Sequence, residues 1–337
     1  MPKLSFTDAL KSRPWLLADG ATGTNYFQMG LTSGDAPEMW NFEHPERVRT
    51  LHRQFIAAGA DIVLTNTFGG NRYRLKLHDA QDRVHEINVA AARNARLEAD
   101  AADRPVYVAG SMGPTGEIFE PVGALAHADG VAAFAEQAKA LKDGGVDVLW
   151  IETMSSEEEL RASVEGAATV GLPIVTTMSF DTNGRTMMGL TPKAFGVLAG
   201  TLAAVPVAIG ANCGTGASEL VATVLGISAA RPDAAVVAKG NCGIPQYADG
   251  HIHYTGTPEL MADYACIAFD AGAKIIGGCC GTSPEHLAAM RHALENHTPG
   301  ARPSLAVIED RLGPVSELAK GIDTAAAGAA RRERRRG

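Results

Sequence analysis

The sequence predicts a single-domain α/β fold, a (β/α)8 TIM barrel with a C-terminal tail, and three observations carry that reading. Eight short runs rich in Val, Ile and Leu recur between residues 15 and 296. Each is followed by a longer stretch with helical periodicity, the alternation expected of parallel strands joined by crossover helices. Eight such units in this span match a barrel, which typically takes about 250 residues. A doubly wound open sheet is the rival. Eight units would be many for one, and no G-x-G-x-x-G follows the first strand.

The elements fall in order. Trp15–Ala18 is the first strand, and Pro45–Ala58 the helix that returns the chain. Ile62–Leu64 pairs with helix Asp82–Ala99, Val106–Ala109 with Val131–Asp143, and Val146–Ile151 with Glu157–Val170. Ile174–Met178 precedes Pro192–Ala203, Val207–Ala211 precedes Ser218–Ala229, and Ala235–Ala238 precedes Pro258–Ala271. Lys274–Ile276 and Pro284–Asn296 complete the series. Thr191-Pro192, Thr257-Pro258 and Ser283-Pro284 place a capping hydroxyl before a proline at the first helical position. Gly59, Gly144, Gly171 and Gly272 stand where helices end and a left-handed residue is wanted. The barrel is assigned to residues 1–300 and a C-terminal extension to 301–337. The end of that extension, from about Ile322 through the run Arg331–Arg336, is expected to be a disordered tail.

Composition narrows the function. Hydrophobic residues make up 46% and charged residues 20%, as in a soluble globular protein. Thirty basic residues against 38 acidic ones leave a net charge of −8, which argues against a nucleic-acid partner. No apolar run approaches the roughly 20 residues of a membrane span. The N-terminal MPKLSFTDALKSRP carries charges where an export signal needs an apolar core. A cytoplasmic location is expected, with a homo-oligomer left open. The five cysteines are odd in number, so a disulfide framework is a poor reading.

In a barrel the active site lies at the C-terminal ends of the strands. Those ends carry Asp19-Gly20, Thr65-Asn66-Thr67-Phe68, Ser111-Met112-Gly113 and Glu152-Thr153. They continue with Asn212-Cys213, Lys239-Gly240-Asn241-Cys242 and Cys279-Cys280. Adjacent side chains on a regular strand point to opposite faces, so Cys279 and Cys280 can share a metal only where the strand breaks into a turn. The glycines of Gly277-Gly278-Cys279-Cys280-Gly281 permit that break. Cys213, two strands away, supplies a third thiolate. Three sulfurs with an open fourth position describe a catalytic zinc site. Such a site suits the binding of a substrate thiol as thiolate, which keeps a sulfur nucleophile available at neutral pH. Attack on a methyl group is the simplest use.

The motifs Asp19-Gly20-Ala21-Thr22-Gly23-Thr24, Thr65–Phe68, Gly210-Ala211-Asn212-Cys213 and Gly277–Gly281 resemble the homocysteine S-methyltransferase family. The resemblance runs from about Trp15 to about Leu294. It implies a (β/α)8 barrel with Zn2+ held by Cys213, Cys279 and Cys280, and homocysteine contacted by Asp19, Gly20, Thr65 and Glu152. Two carboxylates can hold the substrate ammonium and backbone amides near Gly20 its carboxylate. Gly240–Pro245 is similar to the homocysteine-binding module of cobalamin-dependent methionine synthase, although Cys242 stands where a small apolar residue is expected. That thiol is expected not to be a ligand. No cobalamin, folate or adenosylmethionine domain is expected. The whole pattern looks most like bacterial betaine–homocysteine methyltransferases, although Gly69 and Thr153 replace tyrosines of the animal enzymes.

The resulting expectation is a zinc-dependent enzyme that makes methionine from homocysteine and a small methyl donor, glycine betaine, giving dimethylglycine. Aromatic faces attract a quaternary ammonium, and Trp40 and Phe68 are the candidate faces, with Tyr26, Phe27 and Tyr73 behind them. Competing donors are a sulfonium compound (S-methylmethionine or dimethylsulfoniopropionate) and methylcobalamin on a separate protein. Two readings from other classes are a Schiff-base lyase using Lys239 and a non-catalytic zinc- or thiol-binding protein. The lyase leaves the three cysteines unexplained. His251-x-His253 reads as a pair of loop histidines and Cys266 as a core residue.

Overall fold

The computed structural model describes residues 3–243, 245–248 and 251–322. Its eight parallel strands are β1 Leu16–Leu17, β2 Ile62–Leu64, β3 Tyr107–Met112 and β4 Val148–Met154, then β5 Ile174–Met178, β6 Ala208–Cys213, β7 Ala235–Gly240 and β8 Ala273–Gly278. Neighbours in sequence are neighbours in the sheet from β2 to β8, and β8 pairs back with β1 through Leu16↔Ile275 and Leu17↔Ile276. A bridge between Ala18 and Ile62 joins β1 to β2 and closes the ring. The (β/α)8 barrel is therefore the observed fold.

Each strand is followed by its helix: α1 Pro45–Ala57, α2 Val84–Asp100, α3 His127–Gly144, α4 Glu157–Ala168, α5 Pro192–Ala199, α6 Ala217–Ala230, α7 Pro258–Asp270 and α8 Pro284–Asn296. The expected caps form. Thr191 and Thr257 accept from the backbone of Ala194 and Leu260, and Ser283 shares a reciprocal capping box with His286. A two-stranded hairpin, Pro245–Ala248 with His251–Tyr254, is inserted between β7 and α7.

The two-residue strand period divides the apolar side chains. Leu16, Ile62, Leu64, Tyr107, Ala109, Val148, Trp150, Val175, Ala208, Val237 and Ile275 fill the barrel interior, while their strand neighbours pack outward against the helices. A helix at Phe6–Ser12 closes the floor: Phe6, Ala9 and Leu10 join the interior cluster, and the Phe6 ring meets Tyr107 edge-on at 5.6 Å.

The first part of the extension is helical. Two further helices, α9 Leu305–Leu312 and α10 Glu317–Ile322, dock on α6 and α7. Ile308, Leu312, Val315 and Ala319 form a buried stripe at intervals of four, three and four residues. Ser218 donates to the Pro314 carbonyl at 2.8 Å, and Ser316 N–H donates to Glu219 at 2.6 Å. The expected disordered end, with the Arg331–Arg336 run, lies outside the described residues. Among those described, no helix is long and apolar enough to cross a membrane.

Candidate active site

The same period that fills the interior builds the site above it. Two residues beyond Ala109, Trp150, Val175 and Val237 on their strands stand Ser111, Glu152, Thr177 and Lys239, all buried. Side chains two apart share a face, so these polar groups form a layer over the apolar one. The Ser111 hydroxyl donates to Glu152 at 2.5 Å. Ser111 N–H donates to the Thr65 hydroxyl at 3.0 Å, and that hydroxyl lies 2.6 Å from the hydroxyl of Thr67. Asn212 receives bonds from Thr177 Oγ1 at 2.6 Å and Thr153 N–H at 2.9 Å, and returns one to Thr153 Oγ1 at 2.7 Å.

Lys239 and Asp19 form a buried ion pair, with Nζ 2.8 Å from Oδ1. Nζ also donates to the Asp19 carbonyl at 3.0 Å, and Oδ2 accepts from Leu64 N–H at 2.7 Å. Burial opposes the lysine charge, but Asp19 and Glu152 outweigh it and hold its pKa above the ordinary value. Glu152 forms no ion pair among the described residues, and burial pushes its pKa up to about 7 against the pull of Lys239 and of the Ser111 hydrogen bond. It is the acid of this layer whose charge is most poorly compensated.

The cysteines meet at the rim. Cys213, Gly240 and Gly278 are level across β6, β7 and β8, so Cys279 begins one residue above that row. Cys213 follows the inward-facing Asn212 and would point outward on a regular strand. Its φ of +58° breaks the alternation at that residue, and its sulfur comes within 2.9 Å of Cys279 Sγ and 4.0 Å of Cys280 Sγ. A tight turn follows β8, in which Thr282 N–H donates to the Cys279 carbonyl at 3.1 Å. Gly281, at φ +80°, packs so closely on Tyr254 that a Cβ would lie 2.4 Å from the tyrosine ring. Asn241 ties the two loops together: its carbonyl accepts Cys280 N–H at 3.1 Å and its amide donates to the Gly214 carbonyl at 2.7 Å.

All three sulfurs lie within 4.8 Å of one another and remain partly exposed. In a tetrahedral site with Zn–S bonds near 2.3 Å, sulfurs are about 3.8 Å apart, so small side-chain adjustments bring this set to a metal. Shared hydrogen bonds divide the protons unevenly. Bonds from Cys213 and Cys279 push the Cys280 thiol well down, whereas the bond to Cys279 pushes Cys213 up. The donor set fits a soft or borderline cation.

The other residues singled out in the sequence are distributed as follows. Gly20 sits against Thr282 and Phe55, where a Cβ would be 2.6 Å from the Thr282 carbonyl, and its N–H finds no partner among the described residues. The Thr65 hydroxyl is occupied by Ser111 and Thr67. Phe68 is 39% exposed at the end of β2, with Gly113 beneath its ring. Trp40 is buried, stacked near Tyr26 at 5.2 Å and already facing the Arg47 guanidinium at 5.0 Å. Cys242 is buried beside the cluster without joining it, its N–H donating to the Cys280 carbonyl at 2.9 Å. Cys266 is half-buried on α7, and the side chains of His251 and His253 lie outside the described residues. Asn241 and Tyr254 were not singled out as site residues, and only their positions after β7 hinted at them.

A family model described as homocysteine S-methyltransferase matches residues 16–294. The chain belongs to the homocysteine S-methyltransferase family. It is 32% identical over 309 residues to a methionine synthase of Mycobacterium tuberculosis and 31% identical to one of Mycobacterium leprae. These alignments cover 86% of this chain and 25% of each relative, so the chain spans about a quarter of the length of those proteins. Among solved structures, the metallated form of the Escherichia coli homocysteine methyltransferase MmuM superposes with a TM-score of 0.71 at 23% identity, covering 85% of this chain and 98% of that one. Its oxidized form gives 0.70 at 24%, covering 84% and 97%. At these identities the likeness is one of fold. Lys239, the candidate Schiff-base residue, is held in its ion pair with Asp19.

Proposed function

We propose that this protein is a zinc-dependent homocysteine S-methyltransferase that forms methionine, with glycine betaine as methyl donor. The convergence of Cys213, Cys279 and Cys280 at the mouth of the barrel carries the reading. These three would hold the zinc, which when bound favours the thiolate form of a coordinated thiol. Around it, Glu152 is positioned to take the homocysteine ammonium, because the nearby Lys239 is directly paired with Asp19 and Glu152 forms no ion pair among the described residues. The Gly20 N–H is available to the substrate carboxylate. Asp19, engaged by Lys239 and Leu64 N–H, holds the loop that presents Gly20 and shares the field at the ammonium rather than serving as a free anion. Thr65 fixes Ser111, and through it Glu152. Phe68 offers an open ring to a cationic donor; a donor at Trp40 would compete with Arg47.

The likeness to two methionine synthases favours a second reading, methylcobalamin on a separate protein as donor. Incubating the zinc-loaded protein with homocysteine and betaine, a sulfonium compound or a methylated corrinoid protein, and measuring methionine, separates these. Methionine from betaine supports the proposal; turnover only with the corrinoid protein or only with the sulfonium rejects betaine.

A further inference from the structure

The opposite pole of the barrel carries a second concave site. Arg13 and Trp15 precede β1 or lie at its edge, Asp61 precedes β2, Arg104 precedes β3, and Arg291 projects from α8. Between them lies a cavity of about 330 Å³, also walled by Pro14 and Pro105. That volume falls in the range of small-molecule pockets, roughly 300–1,000 Å³. Three guanidinium groups and one carboxylate line it.

Asp61 does not satisfy the three arginines. A carboxylate offers about four lone-pair positions. Those of Asp61 are taken by Leu17 N–H at 3.0 Å, Arg13 at 3.0 Å, Arg104 at 3.4 Å and Arg291 at 3.2 Å. Arg104 further donates to the carbonyls of Ile56 and Ala60, both at 2.8 Å, and Arg291 to Gly59 and Glu295. Donors remain over. Arg13 Nε and Nη2, Arg104 Nε and Arg291 Nη2 find no partner among the described residues. The remaining charged neighbours are Lys274, whose Nζ donates to the Arg13 carbonyl, and Asp103 beside Arg104. Burial and the charges of Arg291 and Arg13 push Arg104 below its ordinary value, against the pull of Asp61. The Arg291 guanidinium is meanwhile held over the Trp15 ring at 4.8 Å, which restricts its position.

We propose that this cleft binds a phosphoryl-bearing anion, between inorganic phosphate and a nucleoside monophosphate in size. Converging guanidinium forks match the oxygens of a phosphoryl group; with Arg291 also paired to Glu295, the surplus positive charge and most of the spare donors belong to Arg13 and Arg104, which leaves an anion as the missing partner. The site is separated from the cysteines by the whole apolar interior, so its occupancy is independent of the reading given to them.

The test is calorimetric titration of the full-length, zinc-loaded protein at constant ionic strength with inorganic phosphate, AMP, adenosine and chloride as probes. Saturable binding of phosphate or AMP, with none of adenosine or chloride, is expected. Equal affinities would show that the phosphoryl group alone is read, and tighter AMP binding that the proline walls contribute. Arg104→Gln should weaken binding roughly tenfold or more. Because Arg104 also holds two carbonyls, the half-exposed Arg13→Gln serves as the second variant, with the same expectation and unchanged homocysteine binding. Absence of saturable phosphate or AMP binding overturns the proposal, as does binding that a folded Arg13→Gln variant leaves unaltered.

Discussion

Lys239 and Asp19 stand 220 residues apart in sequence, yet Nζ and Oδ1 meet at 2.8 Å inside the barrel mouth. Removing one member of a buried pair strands the other, at a cost of about 3–5 kcal/mol. Lys239→Met should therefore lower stability by that order in urea unfolding, and the double variant Asp19→Asn, Lys239→Met should recover part of the loss. A single variant as stable as the parent would show that the pair has no structural role.

The cysteine set predicts an all-or-none metal requirement. Cys213→Ala, Cys279→Ala and Cys280→Ala should each lose zinc, measured by elemental analysis, together with methionine formation, while far-ultraviolet dichroism stays that of the barrel. Cys242→Ser should keep its zinc, since that thiol lies outside the cluster. Full activity after chelation would refute a role for the metal.

Glu152→Gln should weaken homocysteine binding by about 1.5–3 kcal/mol, roughly ten- to 150-fold, without loss of zinc. Unchanged affinity would remove Glu152 from the ammonium site.

The same carboxyl gives a pH dependence with a defined sign. Burial raises Glu152 to about 7, and only its ionised form attracts an ammonium. Affinity for methionine, which has no thiol to titrate, should therefore rise as pH increases through about 7 and level off above it. The Glu152→Gln variant should lack that step. A flat profile in the parent protein would show that Glu152 is already ionised well below neutrality.

For the donor, Phe68→Ala should raise the betaine KM by about two- to thirtyfold, the equivalent of about 0.5–2 kcal/mol of cation–π attraction, with homocysteine affinity unchanged. Trp40→Ala should instead act on folding, because its ring is buried between Tyr26, His44 and Arg47. The opposite ranking in a kinetic comparison would return the donor site to Trp40.

The barrel was legible because each strand–helix unit announces itself locally. So was much of the polar layer, since a period of two carries Trp150 to Glu152 and Val237 to Lys239. Partnerships were less visible. Nothing near Asp19 says that its carboxylate is committed to β7, and nothing near Asn241 says that it joins Gly214 to Cys280, because both depend on how distant strands register. Trp40 shows the same limit: an aromatic residue in a loop reads identically whether its ring lines a pocket or packs under Arg47. The Ile308–Leu312–Val315–Ala319 stripe was written in the chain, but its two short helices stand beside Ala- and Arg-rich sequence that hides their periodicity.

The left-handed backbone at Cys213 has an evolutionary corollary. Glycine would relieve a strain of about 1 kcal/mol there. Glycine's own entropic cost on folding, roughly 0.5–1 kcal/mol, offsets most of that relief, so the position is close to neutral for the fold and decisive only for the thiolate cluster. On the proposed function, a descendant with Cys213→Gly should keep the barrel and lose the metal, so that one codon would separate the two properties.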